Sequence, residues 1–409
     1  MVKRIAAILL IFACTSIAWM ILGSTIFLRT HDADSSLRGV VTSNWGSPQD
    51  QGVPFANLEV KEKRTEEVLE GKRKQTRVTY VTVLKELPLE ASRLHVTLDL
   101  EHRQKGLLWY STYKVNFAGT YTFRNNTSDG GPVHFTLPFP ASQAIYDDLV
   151  FTIDGQSTPL TSQKTQAQAT VVVPAGKSAT LQVGYRSQGL NRWAYSFDDE
   201  VAQVRDFSLN VRTNFKAVDF PENTLSPTEK RETPEGWDLS WNYRNLVTGY
   251  KIAIAMPEKL QPGPLAGQIS YFAPVSLFFF FFLMWIITTL RRIELHPMNY
   301  FFLAAAFFAF HLLLAYLVDH LSIHAAFVIC SVVSIALVIS YLRLVVGIRF
   351  AAVEAGLAQL IYLVLFSYAF FFKGYTGLTI TIGSILTLFV VMQLTGRIRW
   401  AEKFAGKPV

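Results

Sequence analysis

Asp319, His320 and His324 place a carboxylate and two imidazoles on one short polar stretch between apolar runs. These are zinc-ligand types, and held around one point they would make a metal-dependent membrane enzyme. In a polar turn the same residues are more often interface groups or helix-end caps. His311 lies upstream, near the middle of an apolar run. An ionisable residue at such a depth marks a proton relay, a substrate contact or a hydrogen bond across a helix bundle, and the last is the expectation here. At helical spacing His311 shares a face with Tyr300, Ala304 and Ala315, and small residues on a stripe indicate close helix packing. Glu354, five residues after Arg349, is placed to pair locally or reach head groups. No nucleophile stands beside a base at a spacing that certifies covalent catalysis. Gly-rich phosphate loops, His-Glu-x-x-His and Gly-x-Ser-x-Gly are all missing from the sequence.

The elements that must hold these residues are set by the distribution of charge. Ile5–Leu28 is an apolar run of about 24 residues, roughly 36 Å as a helix, against a ~30 Å hydrocarbon core. A cleaved signal segment is usually shorter, so the run reads as an anchor. Five further runs have spanning length: Ile269–Leu290, Asn299–Val318, Ala325–Leu342, Phe350–Phe372 and Gly377–Leu394. Residues 29–268 hold 27 Lys+Arg and 27 Asp+Glu, so the formal net charge of +7 comes from the membrane-flanking remainder. Basic residues beside apolar helices orient them, and a nucleic-acid partner is not implied. With the N-terminus inside, Lys3, Arg4, Arg291, Arg292, Arg343, Arg349, Arg397, Arg399, Lys403 and Lys407 all fall on the cytoplasmic side. The two outer connections of the C-terminal helices carry Lys373 alone. Both termini are therefore expected in the cytoplasm and residues 29–264 outside it. Trp19, Trp285, Tyr316, Tyr341, Tyr375 and Trp400 read as interfacial rings. The cytoplasmic loops are too short for a nucleotide-binding domain.

Residues 29–268 read as β structure. Leu94, Val96, Leu98 and Leu100 alternate with polar residues, and so do Val133, Phe135 and Leu137, Phe207, Leu209 and Val211, and Trp237, Leu239 and Trp241. Period-two alternation with Asp154-Gly155 and Pro174-Ala175-Gly176 punctuation signals half-buried antiparallel strands, as one large sandwich or two smaller ones. The charged stretch Lys61–Lys74 reads as a solvated hairpin or loop. Cys14 and Cys330 both lie in apolar runs, so the β segment relies on its core and not on disulfides. Pro257, Pro262 and Pro264 read as a stiff linker, and Pro274 as a first-turn proline.

Several motifs resemble the CreD family of bacterial inner-membrane proteins. Leu295-His296-Pro297-Met298-Asn299-Tyr300 is similar to that family's Leu-His-Pro-x-Gln-Tyr element at a helix start. Leu312–Leu317 followed by Asp319-His320 resembles a leucine run ending in Glu-His, and Thr395–Trp400 resembles a Thr-Arg-x-Ile-x-Trp ending. Trp45-Gly46-Ser47-Pro48-Gln49 and His102-Arg103-Gln104-Lys105-Gly106 resemble elements of the outer domain. Asn299 stands where the family has Gln, and Lys373-Gly374 where an acidic pair is common. The resemblance implies a role in envelope integrity or envelope-stress response, with no established catalytic activity or cofactor.

The expected architecture is a membrane protein of β and α parts. It comprises an anchor over 1–28, an extracytoplasmic antiparallel β-sandwich domain over 29–264, and a five-helix transmembrane bundle over 265–409. The leading functional expectation is a non-enzymatic inner-membrane protein. Its outer domain would contact envelope proteins or cell-wall components, and its bundle would sit in membrane lipid. The alternatives are a transporter or lipid-handling protein with a path near His311, and the metal enzyme built on Asp319, His320 and His324.

Overall fold

A computed structural model describes residues 2–70, 73–106, 108–142, 144–197, 201–372 and 374–396, with side chains at 2–3, 66–70 and 73–77 excepted. Among these residues six helices are long and apolar enough to cross a membrane. They are α1 (Val2–Trp45), α2 (Pro262–Leu290), α3 (Pro297–Leu317), α4 (Ile323–Val345), α5 (Phe350–Phe371) and α6 (Thr376–Thr395). Among the described residues the chain divides into two compact units, one within 2–36, 106–108 and 260–396 and the other within 37–105 and 109–259.

Two helix boundaries differ from the sequence expectation. α1 continues through Thr30–Trp45, so a stretch expected in the β segment is helical. Apolar character ends at Leu28, but nothing in Asp32–Val41 breaks a helix, and one already nucleated extends cheaply. α2 starts at Pro262, seven residues before the apolar run. Pro262 and Pro264 thus occupy its first turn, where a missing N–H costs nothing, and are not linker. Pro274 then lies inside the helix and removes the donor for the Ser270 carbonyl.

Within the bundle, α2 to α5 bury 39–50% of their most apolar stretches, whereas α1 and α6 bury 11% each. α1 approaches α2 closely at glycines. A Cβ at Gly263 would come within 2.5 Å of Thr30 Oγ1, and one at Gly267 within 3.3 Å of Ile26. This is the small-residue spacing that lets membrane helices touch backbone to backbone. α5 contains two widened π turns, Phe350–Ala355 and Leu360–Leu365.

The second unit is β-rich. Among the described residues its sixteen strands form sheets of eight, five and three strands. Leu94, Val96 and Leu98 are buried on one face of Leu89–Lys105, and Phe207, Leu209 and Val211 on one face of Ala202–Thr213. They share a core with Leu58, Val133 and Phe135 from the five-stranded sheet, which makes the arrangement sandwich-like. Most pairings are antiparallel, but Gln49–Gly52 runs parallel to Arg192–Ser196, and Phe207–Thr213 parallel to Ser92–Leu98. Lys61–Lys74 falls on a long hairpin formed by Phe55–Glu70 and Arg73–Glu86.

The Trp45–Gln49 motif leads into a buried polar network. Gln49 and Gln51 are fully buried. Gln49 Nε2 donates to Ser187 Oγ and to the Gln188 carbonyl, both at 2.8 Å, and Tyr185 donates to Gln51 Oε1 at 2.6 Å. Burial pushes the Tyr185 hydroxyl well above its ordinary range, so it stays protonated and a donor. Gly46 turns the chain at φ +92, and a Cβ there would come within 2.3 Å of the Gln188 carbonyl oxygen.

Gly46→Ala is therefore expected to destabilise the β unit by about 1–3 kcal/mol, seen as a lower melting temperature of the purified chain. Gly39→Ala, in α1 with nothing within 4 Å, should leave it unchanged or higher. A fragment spanning 37–259 should be soluble, β-rich by circular dichroism and insensitive to thiol, because both cysteines lie outside it.

Candidate functional site

The polar residues of the bundle were the strongest chemical candidates, and the structure distributes them over three levels. At one end α3 begins at Pro297, with His296 as its N-cap accepting from the Met298 N–H through Nδ1 at 3.2 Å. Asn299 Oδ1 accepts from the Tyr341 hydroxyl at 3.3 Å. Leu295 and Tyr300 are buried, and the Tyr300 ring meets Phe281 edge to face at 5.3 Å. Glu354 pairs with Arg291 at 2.5 Å across two helices, and not with its sequence neighbour Arg349. Its second oxygen, Oε2, is buried without a hydrogen-bond partner.

At the middle level His311 is buried, and its Nδ1 lies 2.9 Å from the Phe307 carbonyl of its own helix. A carbonyl only accepts, so Nδ1 carries the proton. The expected hydrogen bond across the bundle is replaced by one along α3, because the residues packed on the ring are aromatic. Trp19 and Phe310 lie 5.6 and 5.0 Å away, both edge to face, and Nε2 has no partner. Tyr300, Ala304 and Ala315 share its buried face. Trp19 is fully buried against this histidine and is not an interfacial ring. The bonds that cross the bundle come from residues the sequence reading passed over. Gln359 Nε2 donates to Ser334 Oγ, and Ser334 donates to the Ala306 carbonyl, each at 2.8 Å. Tyr362 donates to Thr387 Oγ1 at 2.9 Å. A glutamine inside an apolar run was the available signal.

At the opposite end Asp319 pairs with Arg29 at 3.3 Å, and the same guanidinium donates to the Ala315 carbonyl at 2.8 Å. His324 packs on the Phe371 ring at 5.2 Å. Among the described residues no group of three His, Cys, Asp or Glu side chains is placed to hold a metal ion. Asp319, His320 and His324 therefore do not converge: the carboxylate turns to Arg29, and one imidazole turns to an aromatic ring.

The remaining motif residues lie in or beside the β unit. Arg103 stacks its guanidinium 5.5 Å from the Trp45 ring and bonds Glu101 at 2.9 Å. Lys114 and Arg103 together hold the Glu101 carboxyl below its ordinary range. Gly106 turns the chain at φ +58. Trp400 lies outside the described residues.

The family model described as inner membrane protein CreD matches residues 1–401, nearly the whole chain. The chain belongs to the CreD family. It is thus a membrane protein with an apolar N-terminal helix, a β-rich middle and several apolar C-terminal helices. No curated protein matches the sequence. Among solved structures it is similar to a Legionella pneumophila protein described as nutrient binding, at 10% identity and TM-score 0.33, over 57% of this chain and 76% of that one. It is also similar to an M1 zinc metallopeptidase from Deinococcus radiodurans, at 12% identity and TM-score 0.27, over 41% and 42%. At these scores neither likeness bears on function.

The Gln359–Ser334 bond is expected to couple α4 and α5. A double-mutant cycle of Gln359→Leu and Ser334→Ala should give about 0.6–1.7 kcal/mol, measured by unfolding in mixed micelles. Metal analysis of the purified chain should find no stoichiometric zinc, and full loading would restore the metal reading.

Proposed function

We propose that this CreD-family protein is a non-enzymatic component of the bacterial inner membrane that supports envelope integrity or the envelope-stress response. Residues 29–264 face the outside of the cytoplasm and contact envelope proteins or cell-wall components, while the helices sit in membrane lipid. The observation that carries the reading is the Lys/Arg asymmetry around the six spans. Ten basic residues fall on the side assigned to the cytoplasm, against Lys373 in the outer connections. Basic flanks are held on the cytoplasmic side, so the large β segment is exported. The absence from the sequence of nucleotide-binding and hydrolase motifs supports a binding role over a catalytic one.

A reporter active only outside the cytoplasm should be silent when fused after Val409 and active when inserted near Ser226. The reverse pattern would overturn the orientation. In-cell crosslinking from the exposed hairpin position Tyr80 should capture envelope components; capture of cytoplasmic proteins alone would contradict the assignment.

A second reading, a transport or lipid-handling path near His311, has two observations in its favour. Pro274 interrupts the hydrogen-bond ladder of α2, a device used where transporters bind substrate. His311 also keeps an unpartnered buried nitrogen. His311→Leu should abolish function under that reading, and leave it in place under the first.

A further inference from the structure

Within the β unit, a cleft of about 800 Å³ opens where two strands of the eight-stranded sheet part. Ala202–Thr213 pairs with Trp237–Thr248 from Ala202 onward, but its parallel ladder with Leu89–Lys105 begins only at Phe207 and Ser92. Ala202–Asp206 therefore leans away from Leu89–Ala91, and the gap becomes the cleft. The base of the long hairpin forms the facing wall, with Asn57 and Glu86 paired opposite each other. Asn126, Phe197, Gln203 and Arg205 complete the polar and aromatic lining on which recognition would depend.

The chemistry of this lining selects a ligand class by elimination. Among the described lining residues Glu86 and Arg205 are the two with charge, one of each sign, so the described lining offers no cationic excess for a phosphate polymer and no carboxylate cluster for a metal. A wholly apolar ligand would strip water from Asn57, Glu86 and Asn126 with nothing in return. No described residue hydrogen-bonds to those three side chains. An added peptide strand needs an open main-chain edge, and the edge left by the parting, Ala202–Arg205, is four residues long and is stopped at Asp206, whose carbonyl the Arg93 guanidinium already holds. Leu87 N–H donates to the Ala56 carbonyl at 2.8 Å and Arg124 N–H to the Pro88 carbonyl at 3.2 Å. At the fork the Arg93 guanidinium bonds both the carbonyl and the carboxylate of Asp206.

What remains is recognition by side chains that both donate and accept, set beside an aromatic surface. Gln203 is fixed by bonds to Asn245 at 3.2 Å and from Arg205 at 3.4 Å. Phe197 is half-buried and held edge-on by Tyr195 and Phe207, with ring centroids at 5.6 and 5.0 Å. A pyranose offers the matching pattern, with hydroxyls around its rim and C–H groups on its faces. The volume is in the range of ligand-binding clefts, about 300–1,000 Å³. We infer that this cleft binds a neutral oligosaccharide, with Phe197 under a sugar face and Asn57, Glu86, Asn126 and Gln203 on its hydroxyls. The inference rests on the proposed function, since an exported domain meets the glycan part of the envelope.

The test uses the intact chain in nanodiscs free of sugar detergents, titrated with chitotetraose and with cellotetraose and followed by saturation-transfer NMR. Saturable binding of at least one is expected. Glu86→Gln and Phe197→Ala should each weaken it by about tenfold, while Lys216→Ala, a surface residue paired with Glu232, leaves it unchanged. Should Phe197→Ala fail to fold, Glu86→Gln and Asn126→Ala, at exposed positions, carry the result. No saturable binding of either sugar, or equal binding by wild type and variants, overturns the inference. So does binding of extended peptides in place of sugars, which would reassign the cleft to strand addition. A wild type that crosslinks to envelope components yet binds no sugar removes the cleft proposal alone. Reversed reporter fusions would remove the proposed function and leave any measured sugar binding in place.

Discussion

A hydrocarbon core supplies no water to an unpaired peptide or side-chain dipole, and the bundle is organised by that constraint. Many of its hydroxyls turn back onto carbonyls of their own helices, as Thr288 does to Met284 at 2.8 Å, or reach across to a neighbour, as Ser334 does to Ala306, while Ser270 and Tyr300 keep theirs buried without a partner. Gln359 joins that bond, so three helices meet at one polar point inside an apolar pack. Where a partner is missing the structure surrounds the group with rings, and His311 against Trp19 and Phe310 is the clearest instance. The charged pairs Arg29–Asp319 and Arg291–Glu354 each join separate helices, so they fix helix neighbours as well as satisfying charge.

The same accounting governs the β unit by other means. Its first strand carries two buried glutamines, and burying an amide without partners would cost several kcal/mol. Ser187 and Gln188 accept from the Gln49 amide, Pro138 accepts from the Gln51 amide and Tyr185 donates to Gln51 Oε1, while Gln49 Oε1 stays buried without a partner. The Trp45–Gln49 motif is thereby tied to stability through Gly46, whose missing side chain admits the Gln188 carbonyl. This network is polar and buried. The cleft at the strand fork is polar and exposed, and that difference in exposure is what separates structural polarity from a surface prepared for a ligand.

Sequence alone determined the class of this protein, because charge and periodicity are one-dimensional properties. Six apolar spans, a neutral segment of alternating strands between the first and second, and the CreD-like motifs were all legible in that way. The burial of Leu94, Val96 and Leu98 follows from a period of two, and the His296-Pro297 helix start from the requirements of an N-terminal turn. Tertiary structure decided everything that depends on which helix or strand lies next to which. Asp319 looked like a metal ligand until Arg29, remote in sequence, was seen to occupy it. Trp19 looked interfacial until His311 was found against it. The end of α1 and the interior position of Pro274 also escaped the reading, since hydropathy marks where a helix is apolar and not where its hydrogen bonds stop. The cleft had no linear signature at all, because it arises where two strands distant in sequence cease to pair.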